Sequence, residues 1–512
     1  MLAFVARRFV VSVFTLLAST LLVYFLVARA GNPLTPLYTD RSAQRDAKIA
    51  ERIQVMHLDQ PLLERWAGWL WRASGCVLPG RACDLGRTAD GQDVLALLRL
   101  ALGSTVRLVL VAAVLAAVLG VAAGVVSALR QYSGVDHAVT FAAFLFFSLP
   151  VFWVAVLLKQ FLAVEFNDWL VEPHIGLPTS LVLSAVSALT WSALLVGRRD
   201  DARRRRWVVR GVAFGSSLAV LQYLSAVEWF RRPGLGAGVV LLLALASAAG
   251  AAVLFDGLRR GRLLYACLAT AAVGGLVQFG LGPVLRDPSW FTLFLLLVAA
   301  WAVGAAIGWV AGAADRARAV RACVLTASMT ALWVFTDHVF AAVPAYSRLV
   351  NGRLVATIGS GTPNFAGDFW ETFLDDATHL LLPTVALMLV SFAGYSRFAR
   401  AGLLDVLDQD YVRTARAIGL SERAVVVRHA LRSALIPVTT VLALDLGTLI
   451  GGAVITETVF GWRGMGAFFV EGLALPDPNQ VMAFYLVTAV AVVAFTTVAD
   501  IAYAYLDPRV RL

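Results

Sequence analysis

Apolar runs of about 20 residues recur from one end of the chain to the other, and that pattern decides the class of fold before any motif is read. Each run can cross a hydrocarbon core of about 30 Å at about 1.5 Å per residue of helix. Composition agrees: the chain is 60% hydrophobic and 15% charged, with mean hydropathy +0.78, against about 25% charged in a soluble domain. The chain reads as an all-α polytopic membrane protein. A formal net charge of +10 would suggest nucleic acid in a soluble protein. Here the arginines sit in short loops between spans and report topology first. Lysine occurs only at Lys48 and Lys159, neither preceded by Gly, so the chain has no GxxxxGK[ST] phosphate loop. Any ATP that drives it is hydrolysed on another chain, and no metal, cofactor or catalytic group is expected here.

Taken in order, Arg7 and Arg8 precede an apolar run at 9–27. Ala28-Arg29-Ala30 resembles a signal-peptidase site, but the run exceeds the roughly 7–15 apolar residues of a signal peptide. It is read as a retained first span with its N-terminus in the cytoplasm. The polar stretch 31–100 then lies outside. It holds Cys76 and Cys83, which lack the further ligands a zinc site needs and fit a disulfide in an oxidising compartment. Spans two and three are expected at 104–129 and 137–164, with Arg130 and Asp136 in the inner turn. The third carries Pro150 and then Lys159. A lysine inside a membrane is costly, so Lys159 either snorkels from the outer end or faces a transport path. Cys267 and Cys323 fall within apolar runs and read as inert thiols.

Residues 173–346 have another texture, with Ala- and Leu-rich runs at 177–196, 207–229, 234–255, 263–284, 289–312 and 320–343. The loops at 197–207, 255–262 and 314–321 are rich in arginine and alternate with poorer ones, as the positive-inside rule requires of six spans that enter and leave on the outer side. The run Arg203 to Arg206 either fixes that topology or attracts anionic lipid headgroups. Asp337 and His338 are either a proton relay or simply interfacial.

After an outer segment at 348–379, a fourth framework span is expected at 380–395, its inner end marked by Arg397 and Arg400. The polar stretch 408–437, DQDYVRTARAIGLSERAVVVRHALRSALIP, reads as a short helix, a break at Gly419, a longer helix and a Pro at the mouth of the next span. Such a segment docks rather than catalyses, since nothing in it forms a nucleophile with its base. The fifth span, 438–456, has small residues at Gly447, Gly451 and Gly452 for close packing. It also contains Asp445, either a pathway carboxylate or a structural hydrogen-bonding group. TETVFGWRGMGAFF (456–469), with Glu457, is a Gly-turned outer re-entry, and 481–504 is the last span. The expectation is twelve spans with both termini cytoplasmic.

These motifs carry a resemblance. DYVRTARAIGLSERAVVVRHALRSALIP is similar to the cytoplasmic "EAA" loop of the membrane permease subunits of ABC importers of the dipeptide/oligopeptide/nickel family. Arg413-Thr414-Ala415 stands where the general pattern has Glu-Ala-Ala. LDQPLLERW (58–66), DLGRT (84–88), SLPVFW (148–153), LLLPTVAL (380–387), GGAVITETVFGWRGMG (451–466) and LDPRVR (506–511) match in order and spacing. The resemblance implies a six-span permease core in two parts. Residues 1–165 carry spans one to three and the outer loop 31–100, and 346–512 carry spans four to six and the coupling loop 405–437. It leaves 166–345 as an inserted bundle of about six spans.

It further implies the partners: a second homologous permease, two cytoplasmic ATPase subunits that bind ATP and Mg, and an extracytoplasmic binding protein that delivers di- or oligopeptide. The coupling helix would comprise Asp410, Tyr411, Arg413, Thr414, Ala415, Arg416 and Gly419, with Asp445, Lys159 and Glu457 as pathway candidates. The chain itself would be a multi-pass protein of the bacterial cytoplasmic membrane. Positive-inside bias alone would also place the loop arginines inside, but not their spacing to Gly419 and Pro437. Two other classes are weaker. An ion-gradient-driven secondary transporter would show paired intramembrane carboxylates and an internal repeat, and a membrane enzyme would need a polar cluster that six scattered histidines do not supply.

Overall fold

The computed structural model describes residues 2–76, 80–196, 202–256, 261–312 and 315–506. Among them the chain is helix and turn without a strand, and one isolated bridge pairs Arg87 with Asp93. Among the described residues nine helices are long and apolar enough to cross a membrane, or as many as eleven if each of two bent pairs is one span. That count does not confirm the expected twelve. The run at 177–196 does form a helix, Leu177–Leu195. Its apolar part, Leu177–Ala193, spans only roughly 25 Å at about 1.5 Å per residue. Residues 197–201, 257–260 and 313–314 of the arginine-rich loops and 507–511 of the terminal motif lie outside the described residues.

The chain forms two compact units. The first comprises Met1–Phe161, Thr357–Ser360 and Leu380–Leu512. Its axis is the helix Val94–Leu129, started by Asp93, whose carboxylate accepts the N–H of Leu95 at 3.0 Å, as an N-cap should. Leu108, Ala112, Ala116, Gly120 and Gly124 are buried along one face at helical spacing. The two glycines admit the helix Phe369–Leu407 at close range. A methyl added at Gly124 would lie 2.5 Å from the Ser396 carbonyl oxygen, and one at Gly120 would lie 2.9 Å from Tyr395 Cβ. Small residues permit such backbone approach where lipid supplies no hydrophobic drive between helices.

The third span was expected as one run and is broken instead. The helix Gly134–Ser148 stops at Leu149, which is extended (φ −84°, ψ 130°), and Pro150 opens the helix Val151–Lys159. The segments Gly134–Ser148 and Val151–Val171 diverge by 103°. A proline bars its predecessor from the helical region and brings no N–H. Pro437 has a milder effect because it occupies the first turn of Ile436–Gly452, where that N–H is not needed. The bend there is 47°.

The loop after the first helix packs onto the helices, Trp69, Ala73 and Leu85 sharing one buried cluster with Tyr24, Val94, Leu98, Met465 and Met482. Trp69 is fully buried and donates its indole N–H to the Leu85 carbonyl at 3.2 Å. A disulfide joins Cys76 to Cys83. Arg52 ties the loop together through the carbonyls of Pro33 and Ala89, both at 3.0 Å, and the Asp90 carboxylate at 3.0 Å.

The second unit comprises Leu162–Ala356 and Gly361–His379. Its helices Gly236–Asp256, Gly261–Gly280 and Arg316–Leu349 meet through Ala244, Ala248, Ala252, Ala266, Ala271, Ala319 and Ala322, with the free thiols of Cys267 and Cys323 among them. Gly304 and Gly308 of Trp290–Ala311 lie against Arg316–Leu349; a methyl at Gly308 would sit 2.7 Å from Val320 Cα. Asp337 accepts the N–H groups of Leu235 and Gly236 at 3.0 and 2.9 Å, and the His338 ring stacks on Trp370 with centroids 5.3 Å apart. Each is engaged in holding structure.

Candidate functional site

The polar stretch after the helix Phe369–Leu407 folds first as a helix, Asp410–Ala417. Its short sequence alternates two faces. Val412 and Ala415 are buried against Ala128, Leu403, Val425, Ala430 and Ala434. Tyr411, Arg413, Thr414, Ile418 and Leu420 are exposed. Asp410 begins the helix and Arg416 ends it, each at the terminus where its charge suits the helix dipole.

The turn that stops this helix needs Gly419. Its φ is +83°, a region open to glycine and strained for other residues. In that geometry its N–H donates to the Arg416 carbonyl at 3.0 Å and that of Leu420 to Ala415 at 3.4 Å. Arg416 folds back over the turn, donating from Nη2 and Nε to the two oxygens of Glu422 at 2.8 and 3.2 Å. The guanidinium holds the Glu422 carboxyl below its ordinary range. Arg413 is the freer cation, with a side chain 67% exposed and Asp410 only at 3.9 Å.

The longer second helix expected after Gly419 runs over 422–434, as Glu422–Ala424, a π-helical turn at Val425–Ala430 and the turn Leu431–Ala434. The wider turn buries Val425, Val426 and Ala430, and Val425 and Ala430 pack with Val412 and Ala415 of the helix Asp410–Ala417, a packing requirement that residue spacing does not reveal.

The three pathway candidates have different surroundings. Asp445 is partly exposed, and one oxygen accepts hydroxyl hydrogen bonds from Ser391 at 2.7 Å and Tyr395 at 2.6 Å. Glu457 is 0% exposed. It accepts from the Thr105 hydroxyl at 2.5 Å and from the Gly466 N–H at 2.5 Å, while Thr105 itself accepts the Met465 N–H at 2.7 Å. Together they satisfy donors at the start of the helix Met465–Ala474. Lys159 donates to the Val459 carbonyl at 3.3 Å, near the C-terminal end of the helix Val454–Phe460, where a cation is favoured.

Sequence reading missed one constellation. Asp136 and Arg400 appeared as topology markers, yet Arg400 donates to both carboxylate oxygens of Asp136, at 2.9 and 3.1 Å. Outside the spans it also missed Asp477, which accepts the Ala89 N–H at 2.6 Å and those of Asn479 and Gln480 at 2.9 and 3.2 Å. A carboxylate just before a helix, as in PDPNQ, is a cap signal that could have shown the second of these.

Residues 279–512 match the family described as binding-protein-dependent transport system inner membrane component. The oligopeptide transport system permease protein OppB of Mycobacterium bovis is 44% identical over 154 residues, 30% of this chain and 47% of that protein. The oligopeptide transport system permease protein AppB of Bacillus subtilis is 44% identical over 137 residues, 27% of this chain and 43% of that protein. The dipeptide transport system permease protein DppB of Alkalihalophilus pseudofirmus is 32% identical over 239 residues, 46% of this chain and 66% of that protein. In the first two of these alignments the chain spans about half the length of the relative it matches.

Proposed function

We propose, since this chain belongs to the family of binding-protein-dependent transport inner-membrane components and within it to the dipeptide and oligopeptide permeases, that it is a translocating subunit of an ATP-driven peptide importer. The membrane it spans is the inner membrane, which it crosses several times. A second, homologous permease would complete the path, and an extracytoplasmic binding protein would deliver di- or oligopeptide at the outer face. Two ATPase subunits would bind ATP and Mg on the cytoplasmic side, where both termini of this chain would also lie. The residues 166–345 would be a bundle inserted between the two parts of a six-span core.

The observation that carries this reading is the two-faced helix Asp410–Ala417. Its inner face is locked to the spans by Val412 and Ala415. Its outer face presents Tyr411, Arg413, Thr414 and, just beyond, Ile418, which is 71% exposed. A large apolar side chain beside free charge on a polar loop is the composition of a protein-docking patch. An ATPase cleft would receive that patch, with Arg413 making the charge-assisted contacts. Arg416 would shape the turn, because Glu422 already occupies its fork. Of the pathway candidates, Asp445 is assigned to the translocation path, partly exposed inside a span that it could not tolerate without polar company. Glu457 and Lys159 are assigned to the frame that holds the re-entrant segment.

The test is purification of the tagged chain in mild detergent with its partners, followed by peptide uptake in proteoliposomes. Co-purifying ATPase and a second permease, with ATP-dependent uptake lost when Ile418 and Arg413 are changed to Asp and Glu, is the expected result. A chain that purifies alone and moves peptide under an ion gradient would overturn it.

A further inference from the structure

The Asp136 carboxylate is 4% exposed and accepts from three residues. Ser127, itself 0% exposed, gives its hydroxyl at 2.5 Å, Tyr132 its N–H at 2.9 Å, and Arg400 the two arms of its guanidinium at 2.9 and 3.1 Å. Ser127 lies in the last turn of the helix Val94–Leu129, and Tyr132 in the turn that joins it to Gly134–Ser148. Tyr132 holds a left-handed φ of +58° there, a strained conformation for a bulky residue, and its N–H bond to Asp136 fixes it. The third donor, Arg400, lies on the helix Phe369–Leu407, whose end leads into the docking helix.

The surroundings make this pair the middle of a continuous series of close contacts. Toward the docking helix, Leu403 and Ala128 form the seat of Val412 and Ala415. In the other direction Gly124 lies against Ser396, Ala399 and Arg400, and Gly120 against Tyr395. Tyr395 in turn donates to Asp445 at 2.6 Å. Apolar seats in lipid can slide, since neighbouring tails are as apolar as the seat. A bidentate guanidinium–carboxylate pair has a fixed geometry, so it sets the register between two helices that packing leaves adjustable.

We propose that Arg400 and Asp136 are a positioning clamp that makes the seat of the docking helix and the inner ends of three spans move as one body, so that displacement of the docking helix is converted into movement of the path. This rests on the transporter reading above. Neither residue is placed on the docking surface or in the path.

The experiment uses the assembled transporter in proteoliposomes, comparing Arg400→Gln, Asp136→Asn and the exchanged pair Asp136→Arg with Arg400→Asp. The ratio of peptide transported to ATP hydrolysed is expected to fall about tenfold in either single variant, with ATPase subunits still co-purifying, and to return to within about threefold of wild type in the exchanged pair. Wild-type ratios in the single variants overturn the clamp, as does an exchanged pair that assembles and stays uncoupled. Where the neutral variants do not reach the membrane, Arg400→Lys keeps the charge and loses the fork; an unchanged ratio in that variant also overturns it. Hydrogen exchange on the chain alone separates failure of the clamp from failure of the transporter reading. Amides of 410–420 are expected to exchange at least tenfold faster in Arg400→Gln even if no ATPase ever binds, and unchanged exchange overturns the clamp independently of any transport.

Discussion

The two units of the molecule are held together by different means. In the first, ionised or strongly polar groups are buried and matched over long stretches of chain. Arg400 meets Asp136, Thr105 meets Glu457, and the Ala89 amide meets Asp477. In the second unit the helices meet chiefly through Ala, Gly and Cys. Neutral bonds add to those contacts, Ser187 to Ser217 at 2.7 Å, Gln222 to Ser180 at 2.7 Å and Trp333 to Ser247 at 3.0 Å, while the unit's matched carboxylates, Asp337 on the Leu235 and Gly236 N–H groups and Asp375 on Thr362 and Tyr346, lie outside the small-residue cluster. Buried charge fixes one geometry because every alternative leaves it unpaired, whereas small-residue packing tolerates adjustment. The polar matches of the first unit fix its geometry, whereas the small-residue seam of the second leaves its helices room to adjust.

The sharpest way to break that contrast is at Glu457. Glu457→Ala strips acceptors from Thr105 and Gly466 inside a sealed site, and the cost of unpaired buried donors predicts a loss of about 3 kcal/mol. Thermal unfolding in detergent should show it as a large fall in midpoint or as failure to accumulate; a midpoint within error of wild type would remove the premise of the comparison. Next come the glycine seams, one in each unit. Gly124→Val and Gly308→Val both force a side chain into backbone at under 3 Å and should each cost about 1–3 kcal/mol. Uptake per correctly folded molecule should fall only for Gly124→Val, because its seam joins the contacts that end at the docking helix. Equal losses of uptake would erase the functional difference between the units.

Smaller again is Gly419→Ala, which puts a Cβ into a left-handed residue at a cost of about 1–2 kcal/mol, local to the docking turn. Faster hydrogen exchange at 416–421 with an unchanged global midpoint is expected. The exposed pair Arg416–Glu422 contributes less, about 0.5 kcal/mol. Because the Glu422 carboxyl is held below its ordinary value of 4.5, that contribution is full at neutral pH and fades as pH falls through the lowered value. Exchange at 416–421, corrected for intrinsic rates, should therefore rise on acidification and should not in Glu422→Gln. The smallest effect is expected in the second unit. Ser187→Ala removes one interhelical hydroxyl bond, about 0.6 kcal/mol, and a loss as large as that of Glu457→Ala would mean that its helix seams also depend on polar matching.

Much of this could be read before any coordinates. The runs at 207–229, 234–255, 263–284, 289–312 and 320–343 correspond to helices because a chain segment in lipid has to satisfy its own backbone. The boundary at Gly419 was legible because left-handed turns after helices select glycine. The kink at Pro150 was only half legible. Proline signalled a disturbance, yet nothing local distinguishes a gentle bend from a 103° turn, since neighbouring elements decide whether the freed carbonyls find other partners. The helix after Gly419 was legible over 422–434, but its π-helical turn at Val425–Ala430 was not, for a similar reason. Its register is set by what Val425 and Ala430 must bury.

By itself, the sequence determined the helical membrane class, the position of the polar stretch 408–437 and the turn that ends its first helix. These depend on interactions between residues a few positions apart or between a segment and its solvent. Only the tertiary structure decided which charges are spent on holding the frame. Asp136 and Arg400 are 264 positions apart, and Thr105 and Glu457 are 352 apart. Whether a carboxylate in a membrane is a scaffold or a path residue depends on which donors the folded helices bring within about 3 Å of it, and that distance is a property of packing.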